Sequence, residues 1–340
     1  MRELKFICAQ PDDTYYTWQV HLWLESLRKI GHSDKAIVLI FIPFFREKNE
    51  KWQKIIDLYP EAEFKFYKDE ENSVSKLLGT YIPVLRPYCL MRYFDENPNM
   101  QDHAVFYCDS DVVFTERFNV DAYIHDEINY LSDTNSYINA SYFNSKERDV
   151  LPDKLEAYRQ RDILQEMTSA VGISREVAEA NNDHSGGAQY LLKNIDSEFW
   201  SRVLTSCIVI RTGLQEVNRE FFSSENAGFQ SWCADMWAVL WNLWRNGATT
   251  RNIKEMDFSW SSDQLHRLYE TGILHNAGIT DNMMGGAYPA FYKGMYISGN
   301  DPLKDPHLLQ VLNNEESKKH CNHYYASLLV ELKNKYGLEY

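Results

Sequence analysis

What most constrains the fold of this chain is an alternation, running from residue 4 to residue 114, of apolar runs of strand length with amphipathic stretches of helix length. LKFICA (residues 4–9) reads as a strand and TYYTWQVHLWLESLRKIG as a helix that Asp13 or Thr14 caps and Gly31 ends. KAIVLIFIP is a second strand, NEKWQKIIDLYP a helix and AEFKFY a third strand. VLRPYCLMRYF has helical spacing and leads into a further apolar run, AVFYCDSDVVF, at 104–114. Strands apolar on both sides cannot leave a face in water, so the pattern predicts an α/β fold, a mostly parallel sheet covered by helices.

Past residue 130 the alternation loosens. Residues 153–180 are charged and helix-prone, and predict a helical insertion over about 145–182, a lid or an acceptor-side wall, before GGAQYLLKN returns to the sheet. Helices are predicted within 197–221 and in WCADMWAVLWNLWRNG, strands in TTRNIKEMDFSW and GILHNAG, and a closing helix over about 316–336. No repeat, low-complexity tract or linker interrupts the chain, so the expectation is one domain over 1–315 with a C-terminal helix, 316–340, packed on it.

Two aspartates break the 104–114 run. In a strand, side chains two apart share a face, so Asp109 and Asp111 are expected to point the same way, with Ser110 opposed. A carboxylate pair stays buried and charged only with a cation or several donors. Its economical place is the carboxyl end of a central strand, facing the crevice where open α/β sheets bind ligands. There Mg²⁺ or Mn²⁺ is held by one or two carboxylates plus substrate phosphates. An Asp-x-Asp triplet is common in loops, and its weight here comes from the apolar strand before it and the apolar pair after it.

Other residues stand out by their surroundings. Asp235 lies among Trp232, Met236 and Trp237 on an otherwise apolar helix, and needs either a salt bridge or a function. Gly186 and Gly187 interrupt a strand, which marks close approach of backbone and ligand, or a turn. HCNH at 320–323 lacks a second ligand cluster, so no zinc is expected there. The formal net charge of -14 opposes non-specific binding to a polyanion. MRELKFICAQPDD carries charges throughout, and no segment reaches the roughly 20 apolar residues a spanning helix needs, so neither signal nor membrane anchor is expected. Six scattered cysteines without a Cys-x-x-Cys pair fit a reducing cytoplasm and no structural disulfide.

RPYCLMRYF followed by AVFYCDSDVVF resembles nucleotide-sugar glycosyltransferases of the GT-A fold, in which an arginine- or lysine-bearing helix leads into a strand ending in Asp-x-Asp. CAQPDDTYYTWQ resembles their first strand and nucleotide-binding loop, and SGGAQYLLKN the small-residue strand lining the donor sugar. LHNAG resembles the His-x-x-Gly segment that gives family 8 transferases a third metal ligand. YYTWQVHLWLESLRK and CADMWAVLW are similar to segments of the hydroxyproline O-arabinosyltransferases. The resemblance spans most of residues 4–295.

The resemblance implies a Rossmann-like GT-A domain in which Asp111 binds the metal, Asp109 binds the metal or the ribose, and His275 completes the protein ligands. Ala9 and Tyr15 fall where related enzymes hold the base, and Gly186 and Gly187 where they hold the donor sugar. Arg86 and Lys293 (in FYKGMY) are the expected cations for the leaving diphosphate or donor sugar. Asp235 takes the place of an acidic residue beside sugar and acceptor, although the plant arabinosyltransferases carry glutamate there. The implied activity is transfer of a sugar, arabinose above all, from a UDP-sugar to an acceptor hydroxyl, with Mn²⁺ (or Mg²⁺) and with retention. The acceptor is a glycan, a peptide or a DNA base such as phage hydroxymethylcytosine, in a bacterial or virus-infected cytoplasm. For DNA, Lys146, Arg148, Lys154, Arg159, Arg161 and Arg175 would supply a local basic groove. A sugar-1-phosphate nucleotidyltransferase would want a Gly-rich basic loop after the first strand, and CAQPDDTYY has none. A non-catalytic carbohydrate-binding scaffold is the other rival.

Overall fold

KAIVLIFIP forms the strand that its composition demands: all residues of Ala36–Ile42 are buried, because neighbours cover the strand on both faces. The computed structural model describes residues 2–78, 81–278, 286–297, 299–337 and 340. Among these, the strands are β1 (Leu4–Pro11), β2 (Ala36–Ile42), β3 (Glu63–Lys68), β4 (Ala104–Tyr107), β5 (Val112–Phe114), β6 (Asn129–Leu131), β7 (Tyr190–Leu192), β8 (Thr250–Asn252), β9 (Phe258–Trp260) and β10 (Ile273–His275). The fold is mixed α/β, with mostly parallel strands flanked by helices. The chain divides into two compact units. The first comprises Met1–Leu4, Asp69–Tyr107 and Tyr123–Ile253, and the second Lys5–Lys68, Cys108–Ala122 and Lys254–Tyr340.

In the second unit β1, β2 and β3 run parallel, with Phe6 opposite Ala36 and Ile40 opposite Phe66. The crossover helix Thr14–Lys29 starts where the Asp13 side chain accepts the Tyr15 N–H at 2.9 Å, and is followed by Gly31 at φ +78°. The next helix, Lys51–Leu58, buries Trp52 and Ile55, and the Trp52 indole donates to the buried Asp12 carboxylate at 2.6 Å. A smaller sheet places β10 antiparallel to β5 and parallel to β9.

The closing helix is Cys321–Tyr336, preceded by a short 3-10 turn at Ser317–Lys319. It packs on Thr14–Lys29, and Glu25 ties the two together. The Glu25 carboxylate accepts from Lys335 Nζ at 2.7 Å, Tyr336 OH at 2.8 Å and Tyr59 OH at 2.9 Å. Burial alone would raise this carboxyl, but the donors outweigh it and hold it below its ordinary value of 4.5. A depressed carboxyl stabilises the fold above its unfolded pKa, and that contribution is lost as pH falls through the folded value. Acid titration of unfolding free energy should therefore fall less steeply below pH 4.5 in Glu25→Gln than in the parent. Parallel curves would remove this role.

In the first unit β7 pairs antiparallel with β4 and with β6, and β8 runs parallel to β6. The helices Leu85–Glu96, Ser197–Phe221 and Ala234–Arg245 pack together beside these strands, the longest capped by Asp196, which accepts the Phe199 N–H at 2.7 Å. The charged stretch 153–180 folds as three short helices, Leu155–Arg159, Ile163–Val171 and Arg175–Ala180. Asp162 caps the second, and Gly172 at φ +90° ends it.

Two expectations need correction. The run 104–114 is not one strand: β4 stops at Tyr107, Cys108–Asp111 turns, and β5 begins at Val112 with β10 as its partner. The carboxylates therefore leave a turn, not alternate positions of a strand. TTRNIKEMDFSW likewise forms two strands, β8 and β9, separated by a 3-10 turn at Lys254–Met256. Among the described residues no helix is long and apolar enough to cross a membrane.

Candidate functional site

The register of β5 on β10 sets His275 opposite Val112, and so brings an imidazole from late in the chain beside the Asp109–Asp111 turn. Both ends of that turn are fixed. The Cys108 N–H donates to the Ile7 carbonyl of β1 at 3.2 Å, and the Asn276 N–H donates to the Asp111 carbonyl at 3.0 Å. The Trp23 indole N–H also reaches Cys108 Sγ at 3.3 Å. The His275 ring stacks on Trp260, its partner across β9, with centroids 5.7 Å apart and planes 23° from parallel.

Ligand atoms of Asp109, Asp111 and His275 all lie within 4.8 Å of one another. His275 Nε2 is 3.5 Å from Asp111 Oδ1 and 3.9 Å from Asp109 Oδ2. Metal–oxygen bonds of about 2.1 Å put neighbouring ligand atoms roughly 3 Å apart and opposite ones roughly 4.2 Å apart. The cluster thus fits one divalent ion after shifts of well under an ångström. Two carboxylates and an imidazole are donors that suit Mn²⁺ or Mg²⁺, and the partly exposed Asp109 leaves the cluster open to a substrate oxygen.

Lys293 is already at this cluster: its ammonium donates to Asp111 Oδ2. Burial alone would raise the Asp111 carboxyl, but the Lys293 charge, then the His275 imidazole, override it and hold it well below the carboxylate range. The lysine opens a short turn, Lys293–Tyr296, and the segment just before it is clamped. The Asn322 side chain, from the closing helix, accepts the Phe291 N–H and donates to the Phe291 carbonyl at 2.8 Å. HCNH thus acts through its asparagine. His320 Nδ1 faces the Ser262 carbonyl and His323 Nε2 the Leu312 carbonyl, so neither joins a metal cluster among the described residues.

Ala9 and Tyr15 lie in the same unit, both buried, Ala9 on β1 opposite Leu39. The Tyr15 ring meets Trp18 edge-on at 5.8 Å. Burial, the neighbouring Tyr16 and the Asp111 charge push its phenol up, so it stays neutral.

The remaining predicted residues belong to the first unit. Arg86 Nη1 donates to Asp235 Oδ2 at 2.8 Å, so two residues read separately from sequence are partners. Tyr81, which the sequence did not single out, accepts the Asp235 N–H at 2.9 Å and lies 3.3 Å from Oδ1. Gly186 and Gly187 precede β7 instead of interrupting it. A Cβ at Gly186 would fall 2.2 Å from the Ser132 carbonyl oxygen, and one at Gly187 would fall 2.5 Å from Tyr190 OH. The next residue, Ala188, holds φ +69°, which costs an L-residue energy.

Sequence reasoning passes over Tyr81, and meets Asn322 only within HCNH, where the question is zinc. Five of the six cations named in the insertion face carboxylates: Lys146 and Arg148 with Asp149, Arg159 with Glu147, Arg161 with Glu166 and Glu220, and Arg175 with Asp162 and Glu179.

The chain matches no protein-family model and no curated protein. Among solved structures it is similar to the galactosyltransferase LgtC in complex with donor and acceptor sugar analogs, at 10% identity and TM-score 0.43 over 96% of this chain and 95% of that one. It is similar to the bifunctional glycosyltransferase WbbM at 11% identity and TM-score 0.43, over 82% of this chain and 46% of that one. This chain therefore spans about half of WbbM. Mouse xyloside xylosyltransferase 1 matches at 9% identity and TM-score 0.34, over 81% of this chain and 97% of that one.

Proposed function

We propose that this chain is a divalent-metal-dependent nucleotide-sugar glycosyltransferase. One observation carries the reading: Asp109 and Asp111, in the turn between β4 and β5, and His275, far along the chain at the end of β10, converge within 4.8 Å. Asp109, Asp111 and His275 would hold the ion, which when bound neutralises charge on a departing diphosphate. Against the cost of burial, the Lys293 ammonium and the His275 imidazole hold the Asp111 carboxyl well below its ordinary value, which favours the carboxylate that would receive the ion. Lys293 supplies a positive charge at the Asp111 carboxylate, suited to phosphate oxygens. Tyr15 offers a neutral, apolar ring for a base.

The finer reading rests on the sequence likeness: a UDP-linked donor, arabinose above other sugars, retention of configuration, and sugar-positioning roles for Arg86, Gly186, Gly187 and Asp235. A neutral hydroxyl on a glycan or peptide is favoured over a DNA base, because carboxylates face most of the insertion's cations and a polyanion gains little there. A cytoplasmic location belongs to the same reading and rests on six free cysteines.

Titration calorimetry with UDP tests the core of it. Heat of binding is expected with Mn²⁺ present and absent after chelation; a protein that binds UDP in neither condition is a scaffold, and the reading fails. A hydrolysis screen of UDP-sugars then reports the donor. Turnover of UDP-glucose with inert UDP-arabinose would remove only the arabinosyl part.

A further inference from the structure

Asp111 has two oxygens and two claimants. Oδ1 faces His275 Nε2 at 3.5 Å, on the side where the three ligand atoms converge, while Oδ2 is held by the Lys293 ammonium. The carboxylate is 4% exposed, so water screens these charges poorly. Counting Asp109 and Asp111 against Lys293, these three side chains carry one net negative charge. A divalent ion entering with the lysine in place makes that balance positive by one. A nucleotide diphosphate brings negative charge back and gives the ammonium phosphate oxygens to bind.

We propose that Lys293 couples the metal to the nucleotide, weakening the ion's hold on the empty pocket and strengthening it once a diphosphate is present. The lysine is an internal counter-ion to Asp111 until substrate arrives, so ion and nucleotide enter together. Its position favours such an exchange: Lys293 is only partly buried, at 17% side-chain exposure, while Asn322 fixes the backbone two residues before it. The stem can therefore move its head between Asp111 and a phosphate while the segment stays in place. This inference rests on the transferase reading and adds an order to it.

The test is Mn²⁺ binding followed by the paramagnetic signal of free ion, with and without UDP, in the parent protein, Lys293→Met and Lys293→Gln. In the parent, UDP should tighten Mn²⁺ binding by about tenfold or more, and by linkage Mn²⁺ should tighten UDP binding by the same factor. In both variants Mn²⁺ alone should bind several-fold tighter than in the parent, and the enhancement by UDP should shrink several-fold, to what direct contact between ion and diphosphate supplies. The glutamine variant still carries a polar donor to offer Asp111, so it guards against a methionine variant that fails to fold. Variants that bind Mn²⁺ alone no tighter than the parent, or that keep the full enhancement, overturn the coupling while leaving the transferase reading intact. A parent protein that binds neither ligand overturns both.

Discussion

Asp111→Ala should lose metal-dependent UDP binding by more than about a hundredfold, since even residues that merely orient metal ligands cost 10- to 100-fold when removed. The change deletes the most buried carboxylate of the cluster and the partner of Lys293. The fold should survive it. Lys293 is on a surface turn, and its ammonium can swing to water instead of staying buried and unpaired. The β5–β10 ladder and the Asn276 N–H bond to the Asp111 carbonyl use backbone alone, so the turn keeps its shape. Asp111→Asn, of equal size, should lose binding almost as fully, which would assign the loss to charge. Calorimetry with UDP and Mn²⁺, beside near-ultraviolet circular dichroism, decides the matter. Parent-like affinity in either variant, with native dichroism, would end the metal-site proposal.

The second large effect is on stability. Asp235→Ala should destabilise the protein by about 3 kcal/mol, the low end for breaking a mostly buried ion pair, because the Arg86 side chain keeps some access to water at 22% exposure. The cost has two sources: an arginine left without its carboxylate, and the loss of the contact to Tyr81 OH. Replacing both partners, Arg86→Met with Asp235→Ala, should cost less than the sum of the single changes, since no charge is then stranded. Denaturant unfolding of the four proteins measures the coupling. Strict additivity would mean that the pair does not act as a unit, and would free Asp235 for a role at substrate alone.

How much of this was legible in the sequence depends on the range of the contacts. β2 and the helices on either side of it were readable because their signals are local: an unbroken apolar run, a cap at Asp13, a glycine at 31. The break after Tyr107 was not. AVFYCDSDVVF satisfies strand patterning throughout, and only the choice of β10 as partner for Val112–Phe114 ends one strand and begins another. Asp109, Asp111 and His275 were nameable through family likeness, but their convergence depends on a register between distant segments that no local window contains. Arg86 with Asp235 and Lys293 with Asp111 were found singly and not as pairs for the same reason. Gly186 shows the converse. Its need for a bare backbone was visible, while the structure traces that need to the Ser132 carbonyl of the chain itself.

The Asn322 clamp on Phe291 also gives the protein a timetable. A ribosome releases the two aspartates first, the histidine much later, and the lysine turn and the asparagine that steadies it later still. Until His275, Lys293 and Asn322 have emerged and folded back, the two acids stand without the imidazole, the counter-ion and the clamp that the finished fold sets beside them. A growing polypeptide that has not yet reached Asn322 therefore lacks both the complete cluster and the clamp beside it.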